Sequence, residues 1–281
     1  MKIKDYRTEF IEELTPLYDA MEAESFFYMI LDTKKQMRKI DLALNPDLVF
    51  SEDEIALWND IRNQLKQLIP VQYILGKTNF FGLEFEVNED TLIPRPETEE
   101  LVDWILSGQN KAAKLKILDI GTGSGCIAIA LAKKLPNASV SAIDVSTKAL
   151  EVAKRNANAN QVHISFIHQD ILETTDLKQE FDIIVSNPPY VRHLEKEEIK
   201  QNVLDYEPHM ALFVEDDDAL IFYRKIADLA QKNLSKNGLL YFEINQYLGN
   251  ETVDLLAKMP FSAIELRKDI YENDRMIKVI K

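Results

Sequence analysis

The sequence predicts an α/β fold: a mostly parallel, seven-stranded sheet with helices on both faces, preceded by a small α-helical bundle and a β-hairpin. Beyond Arg95, short runs of β-formers alternate with stretches of helical periodicity, the pattern of a parallel sheet wrapped by helices. The last two runs, 263–270 and 276–280, have only residues 271–275 between them. No crossover helix fits in that interval, so these strands pair antiparallel. The first 75 residues place apolar side chains three and four apart and read as helical.

The elements follow in order. Helical segments at 10–14, 23–31 and 54–68 are punctuated by Pro16, Pro46 and Pro70, giving a bundle of about four or five helices over 1–75. Ser51 heads a Ser-x-x-Glu capping box with Glu54. The aromatic run Phe26-Phe27-Tyr28 reads as a buried face. From Gly76 to Pro94 β-formers dominate and Gly82 offers a turn, so a hairpin linker is expected over 76–95. The third region, 96–281, carries strands at 116–120, 139–145, 164–168, 181–186 and 239–244. Helices at 124–135, 147–159, 219–234 and 250–258 alternate with them before the terminal strand pair.

Composition narrows the function. The chain has 281 residues, 46% hydrophobic and 28% charged, with a net charge of −14. Residues 1–75 hold 9 Lys/Arg against 14 Asp/Glu, net −5, which leaves −9 for the rest. A protein that grips a phosphate backbone concentrates Lys and Arg, and no such block occurs here. No direct nucleic-acid partner is expected, and the field favours a basic protein partner. No apolar run approaches the roughly 18–20 residues of a membrane span. Met1-Lys2-Ile3-Lys4-Asp5 has no signal-peptide core, so no membrane association and a cytoplasmic location are expected. Cys126, the only cysteine, excludes an intrachain disulfide and a thiolate metal cluster.

Asn187-Pro188-Pro189-Tyr190, arriving directly off the apolar run 181–186, suits methylation of a planar nitrogen. An amide or aromatic NH2 is a poor nucleophile because its lone pair is delocalised, so it must be held where that lone pair meets an electrophile. The Asn187 carbonyl and a nearby backbone carbonyl can accept its two N–H groups. The same dipoles stabilise the positive charge that gathers on nitrogen during attack. Pro188 and Pro189 stiffen the loop and turn its carbonyls inward, and Tyr190 offers a flat face to the substrate's planar group. The plainer alternative is a proline-rich turn that ends a buried strand.

A second motif, Asp119-Ile120-Gly121-Thr122-Gly123-Ser124-Gly125-Cys126, joins the first strand of the sheet to the first helix. Glycines there allow a tight turn and close ligand approach, and the helix start offers unpaired N–H groups. A dinucleotide loop needs Gly-x-Gly-x-x-Gly or Ala. Here Cys126 holds that third position and the glycines fall as Gly-x-Gly-x-Gly, which is similar to S-adenosylmethionine enzymes. Asp144 closes the second strand, where an acid accepts from both ribose hydroxyls; helix capping is its alternative role. Asp170 ends the third strand, placed to accept from an adenine amino group while Ile171 packs on the ring. All these loops leave carboxyl strand ends, so donor and acceptor meet above one sheet edge. Transfer between them needs alignment, and no metal is expected.

This combination resembles the class I S-adenosylmethionine-dependent methyltransferase fold, Rossmann-like with an antiparallel terminal hairpin. More narrowly, it resembles the HemK/PrmC family of protein-(glutamine-N5) methyltransferases. The likeness extends to Pro70-Val71-Gln72-Tyr73-Ile74-Leu75-Gly76, Phe80-Phe81-Gly82-Leu83 and Leu92-Ile93-Pro94-Arg95-Pro96-Glu97-Thr98-Glu99. It continues through Tyr206-Glu207-Pro208, Ala211-Leu212, Asp269 and Asp274-Arg275-Met276, nearly the whole chain. The resemblance implies S-adenosyl-L-methionine as cofactor and S-adenosyl-L-homocysteine as product, held by Gly121, Thr122, Gly123, Ser124, Gly125, Asp144, Asp170, Ile171 and Asn187. It implies that Asn187, Pro188 and Tyr190 are catalytic and that Pro189 joins them in holding the substrate amide. The acceptor would be the glutamine of the Gly-Gly-Gln loop of peptide chain release factors, recognised through the helical domain. Arg95 and Pro96 would shape the entrance, unless Arg95 merely pairs with Glu97, Glu99 or Glu100.

Two departures stand out. Asn245 follows Glu243-Ile244 where the family more often has glycine, and Ile171 stands where aromatic residues also occur. The acidic run Glu215-Asp216-Asp217-Asp218 reads as a solvated loop rather than a metal site. His163, His168, His193 and His209 share no ligand or triad spacing. Two rivals use the same motifs: a DNA adenine-N6 methyltransferase, which needs base flipping and a basic channel, and a catalytically silent S-adenosylmethionine-binding translation factor. Charge and the 92–99 motif count against the first, and the intact Asn187 loop against the second.

Overall fold

Apolar side chains at helical spacing collapse the amino-terminal residues around Trp58. Its ring lies 4.9–6.1 Å from those of Tyr6, Phe10, Phe27 and Phe50, tilted or edge-on, the offset geometry that aromatic quadrupoles favour. The computed structural model describes residues 1–281, in two compact units. The first is Met1–Gly76 together with Gln201–Tyr206. It contains α1 (Ile3–Leu14), α2 (Ala20–Lys35), α3 (Lys39–Leu44), α4 (Glu52–Lys66) and α5 (Val71–Leu75). The capping box forms as the pattern predicts: Glu54 N donates to Ser51 Oγ, and Ser51 N donates to Glu54 Oε2. Phe27 is fully buried, with Phe26 and Tyr28 packed partly exposed beside it. Tyr206 Oη donates to the Gln67 carbonyl at 2.7 Å.

The second unit is Lys77–Lys200 with Glu207–Lys281. It opens with the hairpin β1 (Lys77–Phe80) and β2 (Leu83–Glu86) and continues through α6 (Pro96–Ser107), β3 (Lys116–Ile120) and α7 (Cys126–Lys134). Then come β4 (Ser139–Asp144), α8 (Thr147–Ala159), β5 (Ile164–His168), β6 (Phe181–Ser186) and β7 (Val191–Arg192). After α9 (Gln201–Tyr206) follow α10 (His209–Leu212), β8 (Phe213–Val214), α11 (Ile221–Asn233), β9 (Leu234–Glu243), α12 (Gly249–Ala257), β10 (Ala263–Lys268) and β11 (Asp274–Ile280). The seven-stranded sheet has the order β10-β11-β9-β6-β3-β4-β5. Pairs among β9, β6, β3, β4 and β5 are parallel, while β11 pairs antiparallel with both β9 and β10.

Strand alternation divides the core. Ile117, Ile183, Val185 and Tyr241 pack with α6 and α7 on one face, while Leu118, Ile120, Ile184, Leu240 and Phe242 pack with α11 and α12 on the other. From β3 the chain steps outward to β4 and β5, then returns to β6 on β3's other side. The crevice at the carboxyl ends of β3 and β6 is therefore the switch point where open α/β sheets bind ligands.

The structure adds elements that periodicity had left unread. α6 begins with Pro96 at its first position and Glu97 and Glu99 in its first turn, and buries Leu101, Val102, Trp104 and Ile105. β9 starts at Leu234, five residues before the expected strand, because the run continues across an irregularity in its pairing with β6. Asn237, with φ of 61°, lies in that stretch.

Candidate active site

The glycine loop is shaped by backbone donors. Gly121 N and Thr122 N both donate to the Ile143 carbonyl, at 2.9 and 3.0 Å, and Gly123 N donates to Asp144 Oδ2 at 2.8 Å. Gly123 has φ of 54° and no atom within 4 Å of where a Cβ would stand, so the loop is open to a ligand there. Gly125 is different: a Cβ would meet Ile129 Cδ1 at 3.0 Å and Ala153 Cβ at 3.1 Å, so this glycine lets α7 and α8 close together. Thr122 and Ser124 are buried. Thr122 Oγ1 donates to Asp119 Oδ2 at 2.6 Å, while Asp119 Oδ1 has no partner. Burial pushes the Asp119 carboxyl up to about 7.

Asp144 and Asp170 also organise their turns. Ser146 N donates to Asp144 Oδ1 and Leu172 N to Asp170 Oδ1, both at 2.8 Å. Burial raises the Asp144 carboxyl above its ordinary range, against the backbone donors that hold the charged form. A cavity of about 520 Å³ opens over this edge, lined among others by Gly121, Gly123, Asp144, Asp170, Ile171 and Asn187. That volume lies within the roughly 300–1,000 Å³ of small-molecule sites. Thr122, Ser124 and Gly125 build the loop without lining the cavity.

A second pocket of about 40 Å³ adjoins the first. Leu92, Asn187, Pro188 and Ala211 line both, and Arg95, Tyr190, Val191 and Leu212 complete the smaller one. Pro189 lines the large cavity; Pro96 lines neither and instead starts α6. The loop is tied down from behind. Asn187 Nδ2 donates to Thr98 Oγ1 at 3.3 Å, Thr98 Oγ1 to Glu243 Oε2 at 2.6 Å, and Tyr190 Oη to Glu243 Oε1 at 3.1 Å. Asn245 Nδ2 donates to the Tyr190 carbonyl and to Glu195 Oε2, each at 2.9 Å. Asparagine at 245 thus supplies a strut that glycine cannot.

Arg95 does not pair with Glu97, Glu99 or Glu100. Its Nη2 reaches the buried Glu207 at 2.6 Å, and Glu207 Oε2 also accepts from Ile93 N at 3.0 Å. Glu99 and Glu100 instead accept from Phe81 N and Ile270 N. The acidic run makes local pairs: Asp216 accepts from Leu194 N, and Asp218 takes Arg224 at 2.8 and 3.0 Å. Three anchoring residues gave no motif in the sequence: Asn156, Glu195 and the acceptor role of Glu207. Asn156, buried on α8, accepts from Glu86 N and donates to the carbonyls of Glu86 and Ser124, joining hairpin to glycine loop. Its only signal was an asparagine on an otherwise apolar helix face.

Comparisons with known proteins give the family and the fold. The methyltransferase small domain family matches residues 102–210. The release factor glutamine methyltransferase of Flavobacterium psychrophilum is 63% identical over 282 residues, covering 99% of each chain. The proteins of that name from Bacteroides thetaiotaomicron and Streptococcus pneumoniae are 40% and 41% identical, covering 95% of each chain and 99% and 98% respectively. Among solved structures, a methyltransferase from Pyrococcus furiosus superposes with a TM-score of 0.52 at 20% identity, over 72% of this chain and 90% of that one.

Proposed function

The chain belongs to the release factor glutamine methyltransferase family, and from that premise we propose that it methylates the side-chain amide nitrogen, N5, of the glutamine in the Gly-Gly-Gln loop of peptide chain release factors. The observation that carries this reading is the pair of adjoining cavities with Asn187 and Pro188 in their common wall.

The residues present fit S-adenosyl-L-methionine as cofactor. The open face at Gly123 admits a ligand against the backbone, and Asp144 and Asp170 stand as acceptors in the cavity wall beside it. Gly121, Gly123, Asp144, Asp170 and Ile171 would hold the nucleoside and methionine parts. Bound there, the cofactor supplies a methyl group made electrophilic by its sulfonium. The chain's own residues do the rest by orientation. Asn187 Oδ1, which accepts nothing from the chain, takes one amide N–H of the substrate glutamine. The proline-stiffened backbone takes the other, and the nitrogen lone pair is left aimed at the methyl group. The acceptor dipoles are already fixed when charge develops, which lowers the barrier without reorganisation.

The small pocket, walled by Asn187, Pro188 and Tyr190, is where a terminal amide would sit. The acidic charge also opposes a DNA substrate. The helical unit is assigned to release-factor recognition. No helix is long and apolar enough to cross a membrane, and a release factor substrate places the enzyme's work in the cytoplasm. Incubation with methyl-labelled S-adenosylmethionine and either a release factor or duplex DNA tests the reading. Label is expected on the release factor alone, and label on DNA alone would overturn it.

A further inference from the structure

Behind the Asn187 loop lies a buried relay whose proton directions are fixed by chemistry. Glu243 is 1% exposed and Thr98 2%. When Glu243 is ionised it only accepts, and both neighbouring hydroxyls then point at it: Tyr190 Oη to Oε1 and Thr98 Oγ1 to Oε2. Having spent its one hydrogen on Glu243, Thr98 Oγ1 can only accept from Asn187. The group it faces at 3.3 Å is therefore Nδ2, and the carbonyl half of the Asn187 amide is turned the other way. The two halves of an asparagine amide are nearly alike in shape, so sterics alone cannot set this choice. A hydrogen-bond partner of fixed polarity can.

We propose that Thr98 and Glu243 are positioning residues, which act through Asn187 by dictating which end of its amide faces the acceptor nitrogen. The proposal rests on the assignment of Asn187 as the substrate-amide acceptor. With the relay intact, Asn187 presents oxygen and receives the substrate N–H. With it reversed, Asn187 presents NH2 and repels the same group. The relay spans the amino-terminal turn of α6 and the last residue of β9, so it also joins the Pro-Glu-Thr-Glu segment to the catalytic loop. Around Glu243 stand Arg275 and, at longer range, Glu97 and Cys126, with Tyr223 Oη donating to its main-chain carbonyl. Arg275 is itself paired with Asp269 at 3.0 Å. Burial raises the Glu243 carboxyl above its ordinary range. Protonation would let Glu243 donate to Thr98 and release the amide.

Three variants test this: Thr98→Val, Thr98→Ser and Glu243→Gln. Thr98→Val is expected to lower kcat by about 10- to 100-fold, the scale of misoriented reacting groups, with S-adenosylhomocysteine affinity by calorimetry unchanged. Thr98→Ser, which keeps the hydroxyl, should restore activity to within a few-fold. In wild type, activity should fall below a raised acid limb, and Glu243→Gln should abolish that limb. A readout independent of turnover is the exchange of the Asn187 side-chain amide protons, followed by 15N NMR on the cofactor-free protein. Exchange should be slow in wild type and Thr98→Ser, and about tenfold faster in Thr98→Val, the factor that corresponds to one net hydrogen bond. Equal exchange in wild type and Thr98→Val, or a serine variant no better than valine, overturns the relay. Inactivity of the wild type on release factor would instead overturn the function and leave the exchange result to judge the relay.

Discussion

At the scale of single residues, the site concentrates buried carboxylates that are held by different means. Glu207 carries Arg95 as its counter-ion and Ile93 N as a donor. Asp119 has no cation, and its carboxyl rises from 3.8 to about 7. The folded state therefore keeps a proton that the unfolded chain releases between about pH 4 and pH 7. Stability drawn from this residue falls as pH climbs through that window and is least above it. A displacement of that size corresponds to about 4 kcal/mol. Asp119→Asn is expected to melt above wild type at about pH 8 without cofactor, and to lose that advantage near pH 4. An offset equal at both pH values would contradict the assignment. That Gly121, Gly123, Asp144, Asp170, Ile171 and Asn187 line one cavity was legible in the sequence because motif and strand end coincide. Arg95 was not: its partner lies 112 positions away, and sequence proximity suggested the wrong acids.

At the scale of elements, the strands and long helices were legible wherever a period repeated over several residues. α6 shows its signals only at its start, with proline at the first position and acids in the first turn. The segment between β6 and α11 was illegible for a better reason. Its pieces run two to six residues each, too short to show any period, and are held by side-chain pairs such as Arg192 with Glu195. The hairpin is a further case, visible as β-formers around Gly82, while the buried asparagine on α8 that helps to dock it was not. Asn156→Ala would strip partners from Glu86 N and from the carbonyls of Glu86 and Ser124. A buried group left unpaired costs about 1–3 kcal/mol, so a loss of about 3 kcal/mol in chemical denaturation is expected. The same variant should weaken cofactor binding, because it loosens the glycine loop. A loss under about 0.5 kcal/mol, the range of ordinary surface substitutions, would show that the clamp is dispensable.

At the scale of the whole molecule, an acidic chain of net charge −14 carries a loop whose chemistry serves methyl transfer to a nucleobase amine and to a protein amide alike. The fold alone does not separate them. Charge and family membership both point to the protein amide. The central claim is that Asn187 holds a release-factor glutamine for transfer to its side-chain nitrogen. It is tested most directly by mass spectrometry of a release factor treated with wild-type enzyme or with Asn187→Ala, both at saturating S-adenosylmethionine. The account predicts one methyl group on the Gly-Gly-Gln glutamine with wild type. With Asn187→Ala it predicts a rate lower by about 10²- to 10³-fold, the scale of losing one fixed dipole in a transition state, while cofactor affinity is retained. A methyl group on any other residue, or full activity in Asn187→Ala, would contradict it.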